Sequence, residues 1–253
     1  MRFACLGSGS RGNATVVTAG CTRVLVDCGF SVRETERRLG ALGIAPAELT
    51  AILVTHEHSD HVGGVGALAR RHGIPVWATQ GTWSHGALGE VPQARFFNCH
   101  TPFAIDDLAV DPFPVPHDAR EPSQFVFGDG ARRLGILTDS GYITPHIVRQ
   151  LADCHAVLLE CNYDEAMLAA GPYPAALKQR VGGQFGHLSN DQAAALLGEV
   201  DTSGLQHVVA AHLSEQNNTP ELARAALADA LNCEVDWIAV ASQGEVLDWR
   251  AID

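Results

Sequence analysis

Apolar residues in this chain fall in short runs. Phe3–Leu6, Ala14–Ala19, Ala51–Val54, Ile74–Ala78, Leu134–Thr138, Val157–Glu160 and Gln206–Ala211 are each too short for a stable helix. Bounded by glycine, proline or polar residues, they read as buried strands, and Thr22–Asp27 reads the same way with a carboxylate at its end. Leu108–Val115 is a less regular run whose prolines place it at a sheet edge or bulge. Helix signals fill the gaps. Ser31 with Glu34 has capping-box spacing and opens a helix through Leu42, and Ser189 with Gln192 does the same for Asp191–Val200. Thr219 before Pro220 starts the last long helix. Further helices are read around Leu68 to Arg71, over Thr79–Leu88, and around Lys178 and Arg180, while Val235–Ala241 and Glu245–Trp249 read as closing strands. Strands alternate with helices but also occur in runs near both ends. That order suits an α/β (α+β) chain with two mixed sheets face to face and helices outside, an αββα sandwich.

The length of 253 residues suits one large α/β domain or two small ones, and since no linker or low-complexity run divides the chain, residues 1–253 are read as one domain. No apolar stretch approaches membrane-spanning length, and the first residues read as a strand and turn, so a cytoplasmic protein with no membrane partner is expected. Seven cysteines without a C-x-x-C pair read as reduced thiols packed as small hydrophobes. The net charge of −12 changes the picture most. Acidic proteins are repelled by phosphate backbones, so charge by itself points to a small-molecule substrate. Charge cancelled by bound metal and small basic groups such as Arg70/Arg71 and Lys178/Arg180 would soften that objection.

The densest candidate chemistry is Thr55-His56-Glu57-His58-Ser59-Asp60-His61, on the loop between the buried strand Ala51–Val54 and the following helix. In a tightly turning loop His56 and His58 can grip one ion while Asp60 and His61 turn toward a second. His72, His85 and His100 lack partners at ligand spacing and read as ordinary surface or core histidines. Asp139 ends the strand Leu134–Thr138, and its two oxygens could bridge two ions. Asp27, also at a strand end, could fix the ligand loop from behind. Glu160, at the end of another strand, either borders the cleft or belongs to a helix cap. Mixed imidazole and carboxylate ligands suit zinc, manganese or iron.

His-x-His-x-Asp-His behind a buried strand resembles the signature of the metallo-β-lactamase fold. The Gly7-Ser8-Gly9-Ser10-Arg11-Gly12-Asn13 opening, Gly186-His187-Leu188-Ser189-Asn190, and the His212-Leu213-Ser214 string through Pro220 resemble the YycJ-like (WalJ) group of bacterial nucleases. The resemblance implies a metallo-β-lactamase αββα sandwich and two divalent ions. One would be held by His56, His58, His117 and bridging Asp139, the other by Asp60, His61, His212 and Asp139. It implies a supporting role for Asp27 and a phosphate-contacting, proton-donating role for His187. Ser8, Ser10, Asn13, Ser189 and Asn190 become candidate substrate contacts.

Three functions compete on these residues. The first is a metal-dependent DNA exonuclease acting 5′-to-3′ through a metal-activated hydroxide that Asp60 helps orient, with substrate and polarity implied by the resemblance. The second is a small-molecule hydrolase of the same fold, acting on a cyclic phosphodiester, lactone or thioester. The third, a di-iron oxidoreductase, would be expected to carry Glu where His58 stands and a flavin domain after it.

Overall fold

The computed structural model describes residues 1–253. The N-terminal half begins with an antiparallel meander of β1 (Arg2–Gly7), β2 (Ala14–Ala19) and β3 (Thr22–Val26). Helix α1 (Val32–Ala41), capped by Ser31 as expected, crosses to β4 (Ala51–Leu53), which lies parallel to β3. The ligand loop then winds through the short α2 (Ser59–Val62) into α3 (Val65–His72). β5 (Val76–Ala78), α4 (Gln80–His85) and β6 (Ala94–Phe96) extend the sheet in parallel. The second sheet starts antiparallel with β7 (Phe103–Ile105), β8 (Leu108–Pro114), β9 (Ser123–Gly128) and β10 (Arg133–Leu137). After α5 (Pro145–Leu151) comes β11 (Ala156–Glu160), parallel to β10. The chain runs on through α6 (Glu165–Ala170), α7 (Ala175–Val181) and α8 (Asn190–Glu199) to β12 (His207–Ala211), then through α9 (Pro220–Leu231) to β13 (Ala239–Val240). β14 (Leu247–Ala251) returns to pair with β1.

The result is two seven-stranded sheets, ordered β14-β1-β2-β3-β4-β5-β6 and β13-β12-β11-β10-β9-β8-β7. Alternation along the strands sorts their side chains into layers. On β3, Val24 and Val26 join the core between the sheets, while Leu25 packs with Leu39 of α1 and Leu68 of α3 on the outer face. On β11, Leu158 faces the inter-sheet core, while Val157 and Leu159 pack with Ile147 of α5, Leu196 of α8 and Leu227 of α9. These strands are apolar on both faces because both faces are covered. The αββα sandwich is therefore present, with helices on both outsides.

Two expectations need correcting. Val235–Ala241 is not one strand, because Val235–Trp237 forms a 3₁₀ turn and only Ala239 and Val240 pair with β12. β8 is not an edge strand, since β7 pairs with its start. That pairing ends at Val110, so Pro112 and Pro114 lie where the flank of β8 is free and a missing N–H costs no ladder bond.

Carboxyl ends of β3, β4, β8, β10, β11 and β12 lie along one edge of the sandwich, where the chemistry-bearing residues emerge. Loops of the first sheet pack closely there around the end of β3: Asn13 N donates to Asp60 O at 2.8 Å, Cys28 N to His61 O at 2.8 Å, and Gly29 N to Asn13 O at 3.0 Å. A Cβ on Gly29 would sit 1.8 Å from Asp60 O. Gly29→Ala should cost roughly 2–3 kcal/mol by forcing the loop apart. Gly40→Ala, in α1 with nothing within 4 Å of its added carbon, should gain about 0.5–1 kcal/mol from reduced unfolded-state entropy. Urea denaturation of both variants checks the opposite signs.

Candidate metal centre and active site

Three of the strand ends turn through left-handed backbone. Asp27 (φ 59°), Asp139 (φ 55°) and His212 (φ 54°) take this conformation just after β3, β10 and β12. Left-handed Asp and His are uncommon, and strained residues of this kind concentrate at functional sites. All three are buried.

Burial makes hydrogen-bond partners obligatory, and these partners orient the rings. Asp27 accepts from Thr55 N and Thr55 Oγ1, both at 2.8 Å, and from His61 Nδ1 at 2.8 Å. His117 Nδ1 donates to Gly186 O at 3.0 Å, and His212 Nδ1 donates to Glu160 at 3.0 Å. His56 Nδ1 lies 3.0 Å from Thr55 Oγ1. In each of these rings the Nδ1 proton has an acceptor behind it, which leaves the Nε2 lone pair free. His58 is reversed: its Nε2 donates to Asp118 O at 3.2 Å, so Nδ1 is the free nitrogen, 3.3 Å from His117 Nε2.

The free atoms converge. His56, His58 and His117 place ligand atoms within 4.8 Å of one another, as do Asp60, His61 and His212, and as do His56, His61 and Asp139. Asp139 thus lies between the two trios expected from the sequence. His61 Nε2 is 3.2 Å from Asp139 and 3.4 Å from Asp60. Two buried atoms of this cluster, His56 Nε2 and Asp139 Oδ2, make no hydrogen bond within the protein, although His61 Nε2 stands 3.2 Å from the second. Orphaned buried acceptors in a cluster of free imidazole nitrogens fit a divalent cation, which would satisfy them together.

The electrostatics agree. Burial, reinforced by neighbouring His61, holds His56 well below the usual imidazole range, and burial also lowers His117. Both are therefore neutral, the form that binds metal. Burial would lower His212 too, but Asp139, Asp60 and Glu160 outweigh it and raise it to about 10. Burial would raise Asp139, yet His212 and His61 hold it well below the usual carboxylate range. Asp60 is likewise held low against burial by hydrogen bonds from His212 and His61. The field that draws protons onto His61 and His212 would equally draw a cation.

The sequence left Glu160 open between the cleft and a helix cap. It is fully buried, and its Oε1 accepts from both His187 Nδ1 (2.8 Å) and His212 Nδ1 (3.0 Å). Its Oε2 is fixed by Ser140 N at 3.0 Å and Leu188 N at 3.2 Å. Against the cost of burial, His187 and His212 bring it down to about 2. The signal was its place at the end of β11, matching Asp139 beyond β10; the helix cap nearby belongs to Asp164, which accepts from Met167 N. Asp118 was missed. It lies 3.7 Å from His58 Nε2 and 3.5 Å from His117 Nε2, and accepts from Arg180 Nε at 2.7 Å.

A cavity of about 370 Å³ opens on this cluster, lined by Ser59, Asp60, Asp139, His187 and His212 among others. Of the five candidate substrate contacts only Ser10 lines it. Ser8 Oγ accepts from His212 N at 2.8 Å and donates to Asn13 Oδ1, and Asn13 Nδ2 donates to Asp60 Oδ2 at 3.2 Å. Both are buried and support the cluster from within. Ser189 is buried as the cap of α8, and Asn190 is buried against Asn218, so neither faces the cavity.

Residues 22–213, which contain this entire cluster, match the model of the beta-lactamase superfamily domain. The chain belongs to the metallo-β-lactamase-fold superfamily. It is 36% identical to an exodeoxyribonuclease YycJ of Bacillus anthracis, over 91% of this chain and 89% of that protein. It is 32% identical to an exodeoxyribonuclease WalJ of Streptococcus pneumoniae, over 100% of this chain and 93% of that protein. In three dimensions it superposes on the metallo-β-lactamase-fold protein YhfI of Bacillus subtilis with a TM-score of 0.75, over 98% and 99% of the two chains at 15% identity, a likeness of fold. The chain is thus a metallo-β-lactamase-fold hydrolase, from a superfamily that typically binds divalent metals. No helix is long and apolar enough to cross a membrane.

Asp27 gives the sharpest test of this scaffold. Asp27→Ala strands Thr55 and His61 and puts alanine at positive φ, which should cost about 3 kcal/mol. Asp27→Asn tolerates that backbone and keeps an oxygen for Thr55 N but puts an amide nitrogen where Thr55 Oγ1 and His61 Nδ1 donate, so its loss should be smaller, about 2 kcal/mol. Chemical denaturation of the two variants beside wild type measures the difference.

Proposed function

We propose that this hydrolase cleaves phosphodiester bonds, acting as a metal-dependent DNA exonuclease that works from the 5′ end. One observation carries the chemistry: the ligand atoms of His56, His58 and His117 converge in one trio and those of Asp60, His61 and His212 in another, with Asp139 against His56 and His61 and a His187 held by a buried carboxylate beside them. DNA is supported by the exodeoxyribonuclease names of relatives that span nearly the whole chain. The 5′-to-3′ polarity is supported by resemblance to the YycJ-like group.

His56, His58 and His117 would hold one divalent ion, Asp60, His61 and His212 a second, and Asp139 would serve both; zinc or manganese suits the donors best, and iron also fits. When bound, such ions supply Lewis acidity toward a phosphoryl oxygen and lower the pKa of water. The protein's own groups divide the remaining work. Asp60, ionised and steadied by Asn13, accepts a hydrogen bond from the attacking water and aims it at phosphorus. His187, tied through Nδ1 to Glu160, keeps Nε2 for the cavity, where it protonates the leaving oxygen as the P–O bond breaks. Glu160 stabilises the protonated imidazole and aligns His212 with the same oxygen atom. It acts by positioning, as a carboxylate behind a histidine does in other hydrolases.

The net charge of −12 and the small volume of the cavity at the cluster favour a second reading, a hydrolase of a small cyclic phosphodiester, lactone or thioester. Degradation of 5′-labelled single- and double-stranded DNA, with RNA in parallel and Mn²⁺ or Zn²⁺ supplied, separates the two. Asp60→Ala and His212→Ala should each lower label release by at least about a thousand-fold. His187→Ala should slow it by about a hundred-fold or more while bound metal, measured by elemental analysis, stays at the wild-type level. Loss of metal in His187→Ala contradicts its assignment. Nucleic acid left intact by wild type, with turnover of a small ester, establishes the second reading.

A further inference from the structure

The wall of the cavity opposite the charged cluster comes from α7 and the residues leading into it. Tyr173, Leu177, Arg180 and Val181 line it. Leu177, Arg180 and Val181, at i, i+3 and i+4, form one stripe of the helix, and Tyr173 stands on the turn that leads into it. On an amphipathic helix such a stripe normally faces the core. Here no residue of α7 is buried, and neither Leu177 nor Val181 belongs to any of the three core clusters. The stripe instead faces the cleft.

The wall is held in register with the proposed proton donor. His187 N donates to Val181 O at 2.9 Å, and a Cβ on Gly186 would lie 2.1 Å from the same carbonyl, so the turn after α7 closes onto the helix with glycine at the contact. Lys178 Nζ donates to Ala169 O, and Arg180 Nε pairs with Asp118 beside His58. Arg180 engages Asp118 through Nε, and its exposed guanidinium keeps further N–H donors for a phosphate. An aromatic ring and two aliphatic side chains facing a cleft, edged by an arginine, form a platform for a base and its phosphate.

We propose that this wall binds the nucleobase next to the scissile phosphodiester, stacked on Tyr173 against Leu177 and Val181, with Arg180 contacting the adjoining phosphate. The proposal rests on the phosphodiesterase reading and adds its substrate form. A base lying on the wall must leave its helical stack, so the end that enters is single-stranded. The wall supplies affinity that the acidic chain cannot draw from long-range attraction.

The test pairs a protein change with a substrate change. Wild type, Tyr173→Ala and Tyr173→Phe, each supplied with Mn²⁺, act on single-stranded oligonucleotides that are intact or carry a tetrahydrofuran abasic residue at the first or second terminal nucleotide. With the base on the wall, removing it at one of these positions lowers wild-type kcat/KM roughly ten-fold. Tyr173→Ala then loses a similar factor on the intact strand and nothing further on the abasic one, while Tyr173→Phe behaves as wild type. Leu177→Glu, a second change on the wall, shows the same pattern. If Tyr173→Ala and Leu177→Glu keep the full wild-type dependence on the base, the wall is overturned and the phosphodiesterase stands. If wild type cleaves neither strand, the phosphodiesterase reading falls and takes the wall with it.

Discussion

Buried charge has to be compensated where it lies, and that requirement shapes this protein. Asp27, Asp139 and Glu160 are almost fully withdrawn from water, together with His56, His61, His117 and His212. Isolated, each ionised group would cost several kcal/mol. None is isolated. Asp27 takes up Thr55 and His61, Glu160 takes up His187 and His212, and Asp139 stands among His61, His212 and His187. His56 Nε2 and Asp139 Oδ2 make no hydrogen bond within the protein, and the proposed cations would lie against them.

The sandwich makes such a cluster affordable by bringing strand ends from both sheets to one edge. Val24, Leu53, Ile136 and Leu158 fill the layer between the sheets and set how closely the edges approach. Beyond that layer the chain turns sharply, through left-handed residues at Asp27, Asp139 and His212, so that a side chain leaves each strand end toward the common centre. Ser8 joins the two sheets directly, accepting from His212 N while holding Asn13 against Asp60. The serine-glycine opening thereby serves the cluster as a brace.

The acidic character of the chain looks different once these positions are known. Part of the excess lies in the cleft as Asp60, Asp118 and Asp139, and behind it as Glu160, where histidines and a cation would offset it. Arg11 and Arg180 stand near the cavity, each paired with a carboxylate, Glu215 and Asp118. A substrate bearing phosphate would compete with those carboxylates for arginine. Short-range contacts therefore carry more of the recognition than the overall field.

The sequence by itself determined the layered fold and the ligand loop, because both are written in neighbouring residues. Apolar runs and capping pairs are local, and His56, His58, Asp60 and His61 share one turn of chain. His117, Asp139 and His212 were legible as residues at strand ends, and their meeting only through family resemblance, since it depends on how two sheets pack. Glu160 shows the limit: the residues around it served equally for a cap or a cleft, and the hydrogen bonds to His187 and His212 decided between them. Ser8, Asn13, Ser189 and Asn190 show the converse, polar residues in suggestive motifs that tertiary packing turned inward. Around Lys178 and Arg180 the sequence offered only a helix, and the cavity beside it revealed that Leu177 and Val181 face the cleft with Tyr173. Periodicity records which side of an element is apolar. What that side meets is settled by contacts between residues far apart in the chain.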